Sequence, residues 1–290
     1  MKKTVLLILT SLLFIAILLY NLINPEEYVL TDDIRRTLPG SFIELPDGVT
    51  HYETAGPEDG RPVLLVHGFS VPYYIWDPTF KALADSGFRV IRFDLYGRGY
   101  SDRPDLTYDA ELFDRQITSL LDILKIDRPV DIAGLSMGGA VSVYFTANHP
   151  EKVGKLILID PSFPKGARGS LDTAPVIGEF LTRTLFFPGM ADSQLEDFYR
   201  PENFPDWADK FRVQMKYRGF QRAILSTIRN FMRKDFTPEY AKTGSLGKEA
   251  LLIYGTEDNT ISLDTMLDIL IKIPHIEFFE IPEAGHIPPL

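Results

Sequence analysis

The stretch Val130-Asp131-Ile132-Ala133-Gly134-Leu135-Ser136-Met137-Gly138-Gly139 sets a serine between two glycines where an apolar run gives way to small residues. Glycine and serine are common turn formers, so one reading is a tight turn and nothing more. The other is a nucleophile elbow, G-x-S-x-G, in which a strained strand-to-helix turn lifts a serine hydroxyl out of a sheet. The pentapeptide alone does not choose between them. Its flanks do: residues 130–133 read as a short buried strand and Met137–Asn148 as a helix, which is the context an elbow needs. Gly134 and Gly138 fit the same geometry, because a Cβ beside so sharp a turn would collide with strand or helix. The helix start also directs its free N–H groups toward Ser136, favouring negative charge there.

Outward from this stretch, short apolar runs alternate with helical patterns. Strands are predicted at 63–66, 89–93, 155–159, 250–254 and 276–281, and helices at 80–86, 111–124 and 263–271. Residues 42–45 and 49–54 flank Pro46-Asp47-Gly48, a hairpin signal. The alternation implies right-handed βαβ units, hence an α/β fold with a mostly parallel sheet flanked by helices. It lapses between 161 and 247, a stretch rich in aromatics and broken by Pro and Gly. That stretch reads as a helical cap inserted at the carboxyl edge of the sheet, where open α/β sheets bind ligands. The expected organisation is therefore an anchor over 1–24, a linker over 25–41, core over 42–160, cap over 161–247 and core again over 248–290.

The 290 residues, 45% hydrophobic, are enough for one sizeable α/β domain with an insertion. A net charge of -10 argues against nucleic acid and against docking to anionic lipid headgroups. The absence of cysteine removes a thiol nucleophile, thiolate metal ligands, disulfides and a lipobox acylation site together. Residues 4–23, TVLLILTSLLFIAILLYNLI, carry no charge, Gly or Pro. Twenty helical residues span roughly 30 Å, a bilayer core, whereas a signal peptide has a shorter apolar region and a small-x-small cleavage site. An uncleaved single-pass membrane helix is predicted. Lys2 and Lys3 stay cytoplasmic, which places the remaining chain on the non-cytoplasmic side.

A serine hydroxyl needs a base. Of five histidines, His51 lies in the hairpin, His67 in LLVHGF, His149 at a helix end and His275 at the start of the last strand. His286 follows that strand at the edge where Ser136 emerges, and is the expected base. The base needs an acid to fix its tautomer. Asp258, after the strand LLIYG, is the candidate, with Glu257 and Asp160 as alternatives. An oxyanion hole needs two backbone N–H donors, expected from Met137 and from Phe69 after Gly68. His67 then braces that loop.

The series LLVHGF, FDLYGRGYSDRP, GLSMGG, LILIDP, YGTEDNTI and EAGHIP resembles, in order and spacing, the α/β-hydrolase fold superfamily. It is especially similar to the capped group of monoacylglycerol lipases, carboxylesterases and carbon–carbon bond hydrolases. The resemblance runs from about Phe42 to the end and is weakest across the cap. It implies a Ser136–His286–Asp258 triad, and it argues against the relatives that carry an aspartate at the nucleophile position. It also implies a closing helix after the catalytic histidine, whereas this sequence stops at Leu290. The function expected is a membrane-anchored serine hydrolase of carboxylic esters, acting on acyl-glycerols or other lipophilic esters without metal or cofactor. Phe186, Phe187 and Trp207 are the candidate substrate contacts. The rivals are a carbon–carbon bond hydrolase, a perhydrolase, or a non-catalytic ligand-binding protein of the same fold. Oligomeric state is left open.

Overall fold

The computed structural model describes residues 3, 4, 7, 10, 11, 24–166 and 177–287. Eight strands form one sheet: β1 (Ser41–Leu45), β2 (Gly48–Ala55), β3 (Pro62–Val66), β4 (Arg89–Phe93), β5 (Val130–Leu135), β6 (Val153–Ile159), β7 (Ala250–Gly255) and β8 (Glu277–Ile281). Their order is β1-β2-β4-β3-β5-β6-β7-β8. β1 and β2 are antiparallel, as are β2 and β4, and the remaining pairs are parallel. The central strands are continuous apolar runs because both faces of the sheet are covered. Along β3, Leu64 and Val66 join the core beneath helices Ala110–Ile123 and Met137–Asn148, while Val63 and Leu65 join the core beneath Asp77–Asp85.

The register carries the site. Val66 pairs with Gly134, Leu135 with Ile159, Ile159 with Ile253, and Gly255 with Ile281. Six parallel strands, β3 to β8, therefore end at one edge, and the residues that follow them meet there.

Two regions differ from the sequence reading. The 25–41 stretch is docked rather than a free linker. Glu26 accepts hydrogen bonds from Gly219 N (2.9 Å) and Gln221 N (2.7 Å), at the start of helix Phe220–Asn230. Tyr28 bridges Tyr217, and the buried Arg35 pairs with Asp102. A carboxylate at a helix start meets unpaired N–H groups, which is why an acidic loop can hold there. Second, the inserted segment ends in helix Thr237–Ser245, which packs on core helix Met137–Asn148 through Tyr240 and Thr243. The cap proper is the irregular helical part before it, including Trp207–Met215 and Phe220–Asn230.

The expected membrane helix lies almost wholly outside the described residues. Of residues 4–23 only Thr4, Leu7, Thr10 and Ser11 are described, all helical and exposed. No helix among the described residues is long and apolar enough to cross a membrane. At the far edge of the sheet, Phe278 and Phe279 of β8 are exposed.

Candidate active site

Ser136 sits between β5 and helix Met137–Asn148 with φ 53 and ψ -120. A residue with a Cβ in that region costs about 1–3 kcal/mol and persists only where its surroundings over-determine it. Here they do. Ser136 N donates to Ile159 O at 2.9 Å, and Ser136 O accepts from Gly139 N and Ser162 N, each at 2.9 Å. The glycines are required by close approach: a Cβ at Gly134 would lie 2.3 Å from Gly138 O, and one at Gly138 would lie 2.3 Å from Val66 O. A Cβ at Gly68 would stand 3.3 Å from Ser136 Cβ, so the loop after β3 runs directly beside the serine.

That loop carries Phe69, and Met137 follows Ser136. Met137 opens its helix, where the N–H has no partner one turn back. His67 holds the loop. Its Nδ1 donates to Gly68 O at 2.9 Å and its Nε2 accepts from Leu95 N at 2.9 Å, which fixes one neutral tautomer. Burial lowers its pKa to about 4 against the pull of Asp94. A neutral, doubly committed imidazole braces and does not exchange protons.

His286 is buried, and its Nδ1 lies 2.7 Å from Asp258 Oδ2. Asp258 Oδ1 accepts from Thr260 N (2.7 Å) and Ile261 N (2.8 Å), so the carboxylate is gripped from two sides. With Nδ1 committed, Nε2 is the nitrogen left for Ser136, which lines the same cavity of about 330 Å³. The other histidines are otherwise engaged. His51 binds Asp94 Oδ2 at 2.7 Å and Pro39 O at 2.8 Å, stacked between Phe42 and Tyr73. His149 meets Asp114 at 3.0 Å, and His275 meets Lys248 O at 2.9 Å.

Of the alternative acids, Asp160 also reaches the cluster. An oxygen from each of Asp160 and Asp258 and a ring nitrogen of His286 lie within 4.8 Å of one another, all buried. The set does not suit a cation, because Asp258 commits both oxygens to N–H donors. Glu257 is exposed and is not part of it.

Of the three aromatic candidates only Phe186 lines the cavity. Phe187, the next residue on a helical turn, points the other way and is buried against Phe220. Trp207 is buried in the cap among Tyr74, Phe198 and Phe204. The cavity instead contains two groups the sequence reading passed over, Glu196 and Asp197. Asp197 accepts from Thr260 Oγ1 at 2.9 Å. No Lys or Arg stands among the described residues lining the cavity. Nothing in the sequence marks this pair, which lies in the irregular part of the cap.

Burial by itself lowers the His286 pKa, but the hydrogen bond to Asp258 and the charges of Asp258, Asp197 and Asp160 overcome it, and the net shift is upward. A base must be neutral to accept a proton. The acid limb of kcat/KM is therefore expected above the ordinary imidazole value of about 6.5. Asp197→Asn removes one of the charges holding the proton on, so that limb should move to lower pH. A pH–rate profile of the two proteins checks it, and an unmoved limb would detach Asp197 from the site.

The model of the Alpha/beta hydrolase family matches residues 63–290. The AB hydrolase superfamily protein YisY of Bacillus subtilis (strain 168) is 33% identical over 267 residues, 85% of this chain and 92% of its own. A 2-hydroxy-6-oxononadienedioate/2-hydroxy-6-oxononatrienedioate hydrolase of Pseudomonas putida is 26% identical over 266 residues, 84% of this chain and 89% of its own. Among solved structures, a thermophilic esterase from Thermogutta terrifontis superposes with a TM-score of 0.72 at 25% identity, covering 86% of this chain and 93% of its own.

Proposed function

The chain belongs to the alpha/beta hydrolase family, and from that premise we propose that it hydrolyses neutral, lipophilic carboxylic esters through an acyl-enzyme on Ser136. Ser136 Oγ attacks the acyl carbonyl as His286 Nε2 takes its proton, with Asp258 holding the imidazole and stabilising its charged form. The N–H groups of Phe69 and Met137 hold the oxyanion. His286 returns the proton to the leaving alcohol and then activates water to release the acid.

The observation that carries the ester reading is the charge of the cavity. The Pseudomonas putida relative is named for a dianionic substrate. A substrate carboxylate about 4 Å from Asp197 would meet roughly 4 kcal/mol of repulsion at an effective dielectric of about 20, and less from the exposed Glu196. No Lys or Arg among the described lining residues offsets that. A neutral ester meets no such barrier. A fluorophosphonate probe should label Ser136 in the wild type and leave Ser136→Ala blank. A panel of esters and dienedioates then decides the substrate: preferred turnover of the dienedioate would replace the ester reading with carbon–carbon hydrolysis.

The apolar rim supports a lipophilic acyl group. Leu185 and Phe186 are 74% and 44% exposed, and Phe186 lines the cavity. The apolar run at residues 4–23 supports a membrane anchor that would bring the enzyme to such substrates. Each buried CH₂ contributes up to about 0.8 kcal/mol, so kcat/KM should climb several-fold over the first added methylenes of p-nitrophenyl esters. Phe186→Ser should flatten that climb. If acetyl esters are best and Phe186→Ser leaves the series unchanged, the protein is a short-chain esterase.

A further inference from the structure

Asp160 is fully buried at the end of β6, does not line the cavity shared by Ser136 and His286, and has no role in the reaction derived above. Its backbone is strained at φ 39, held by Asp160 N donating to Ile253 O at 2.9 Å. The side chain is lopsided. Oδ1 accepts from Gly255 N at 3.0 Å, while the buried Oδ2 has no hydrogen-bond donor facing it. A buried carboxylate oxygen without a donor is costly, and a second carboxylate, Asp258, lies close by.

Two adjacent buried carboxyls do not both ionise. The donors decide where the single negative charge resides. Asp258 receives three, from Thr260 N, Ile261 N and His286 Nδ1, and Asp160 receives one. Resting on the triad assignment above, we propose that Asp160 is a neutral carboxylic acid that donates its Oδ2 proton to Asp258, a positioning residue that holds the catalytic acid from behind. The proton stays on Asp160 through the whole cycle. This arrangement removes both anomalies, since the orphan oxygen becomes a donor and the carboxylate repulsion becomes a charge-assisted hydrogen bond.

The electrostatics agree with that geometry. Burial, then the Asp258 charge, raise the Asp160 carboxyl to about 8, with a hydrogen bond to Asp258 adding to the rise and the Gly255 N–H and His286 opposing it. The titratable groups around it are Asp258 and His286 from the loops after β7 and β8, and Tyr254 on β7. Asp197 of the cap acts on the cluster through His286. As pH rises through about 8, Asp160 loses its proton, its hydrogen bond becomes a repulsion, and Asp258 is pushed off register.

The discriminating variant is Asp160→Asn, whose NH₂ can still donate to Asp258 and whose carbonyl can still accept from Gly255 N. At pH 7 its ester kcat/KM should stay within roughly threefold of wild type, and the alkaline fall in the wild-type profile should vanish. Asp160→Leu keeps the branched shape but removes both the donor to Asp258 and the acceptor for Gly255 N, so kcat should fall roughly ten- to a hundredfold with KM little changed. Infrared difference spectra of the wild type should show a protonated-carboxyl band that titrates away through about 8 and is missing from Asp160→Asn. No such band, or an alkaline fall that persists in Asp160→Asn, overturns the proposal. So does an Asp160→Asn loss as deep as that of Asp258→Asn. If the wild type turned over no ester the proposed function would fail, while the infrared band would still decide Asp160.

Discussion

Replacing Ser136 with alanine is expected to lower kcat/KM for esters by about four orders of magnitude or more, with His286→Ala close to it and the double variant scarcely worse. The three side chains act as one unit, so removing any member of the proton path removes the path. The elbow supplies a second arm. Alanine retains the Cβ that makes φ 53 costly, whereas glycine does not. Ser136→Gly should therefore be as inactive as Ser136→Ala yet more stable by about 1 kcal/mol in chemical denaturation. Activity lost in both with stability gained in glycine alone would tie the strain to presentation of the nucleophile. Unchanged turnover in Ser136→Ala would remove the serine mechanism altogether.

The elbow was legible because it is local. A strand, a glycine-flanked serine and a helix lie within nineteen consecutive residues, and each glycine answers to a contact within that turn or with the adjacent strand. The central strands were legible for a related reason: β3 and β5 are buried on both faces and show as apolar runs. Chain order at the strand ends then places Ser136, Asp258 and His286 at one edge.

What depends on the cap was not legible. Phe186 and Phe187 are neighbours of equal hydrophobicity, and only the path of a short helical turn sends one to the cavity and the other to Phe220. Trp207 reads as a ligand contact and is instead the centre of an aromatic cluster. Asp197 looks like a solvated loop acid until the fold carries it to His286, while Glu196 beside it stays exposed at the cavity. Glu26 is similar, an acidic residue in a Pro-flanked stretch that finds a helix start some 190 positions away. Asp160 and Asp258 each follow an apolar strand, and register brings both to the same histidine. Distinguishing them takes a count of hydrogen-bond donors, which a sequence does not contain.

That count makes Asp258→Asn a sharp experiment. The two backbone donors, Thr260 N at 2.7 Å and Ile261 N at 2.8 Å, both point at Oδ1 and dictate how an amide would sit. Its carbonyl oxygen must take that position, because an NH₂ there would face two N–H groups. The NH₂ is then turned toward His286 Nδ1, which can only accept from it. The imidazole proton moves to Nε2, and a protonated Nε2 cannot receive the Ser136 proton. Turnover should fall roughly ten-thousandfold with the fold intact, since the amide fills the same space and satisfies the same backbone donors. The thermal transition should stay close to wild type, and fluorophosphonate labelling should slow in proportion to turnover. Asp160→Asn at pH 7 is the matched control, because there the amide replaces a group that is already neutral. A mild loss in Asp258→Asn beside a severe one in Asp160→Asn would move the catalytic acid from β7 to β6. The reverse pattern leaves one carboxylate charged to steer the histidine and the other protonated to hold it.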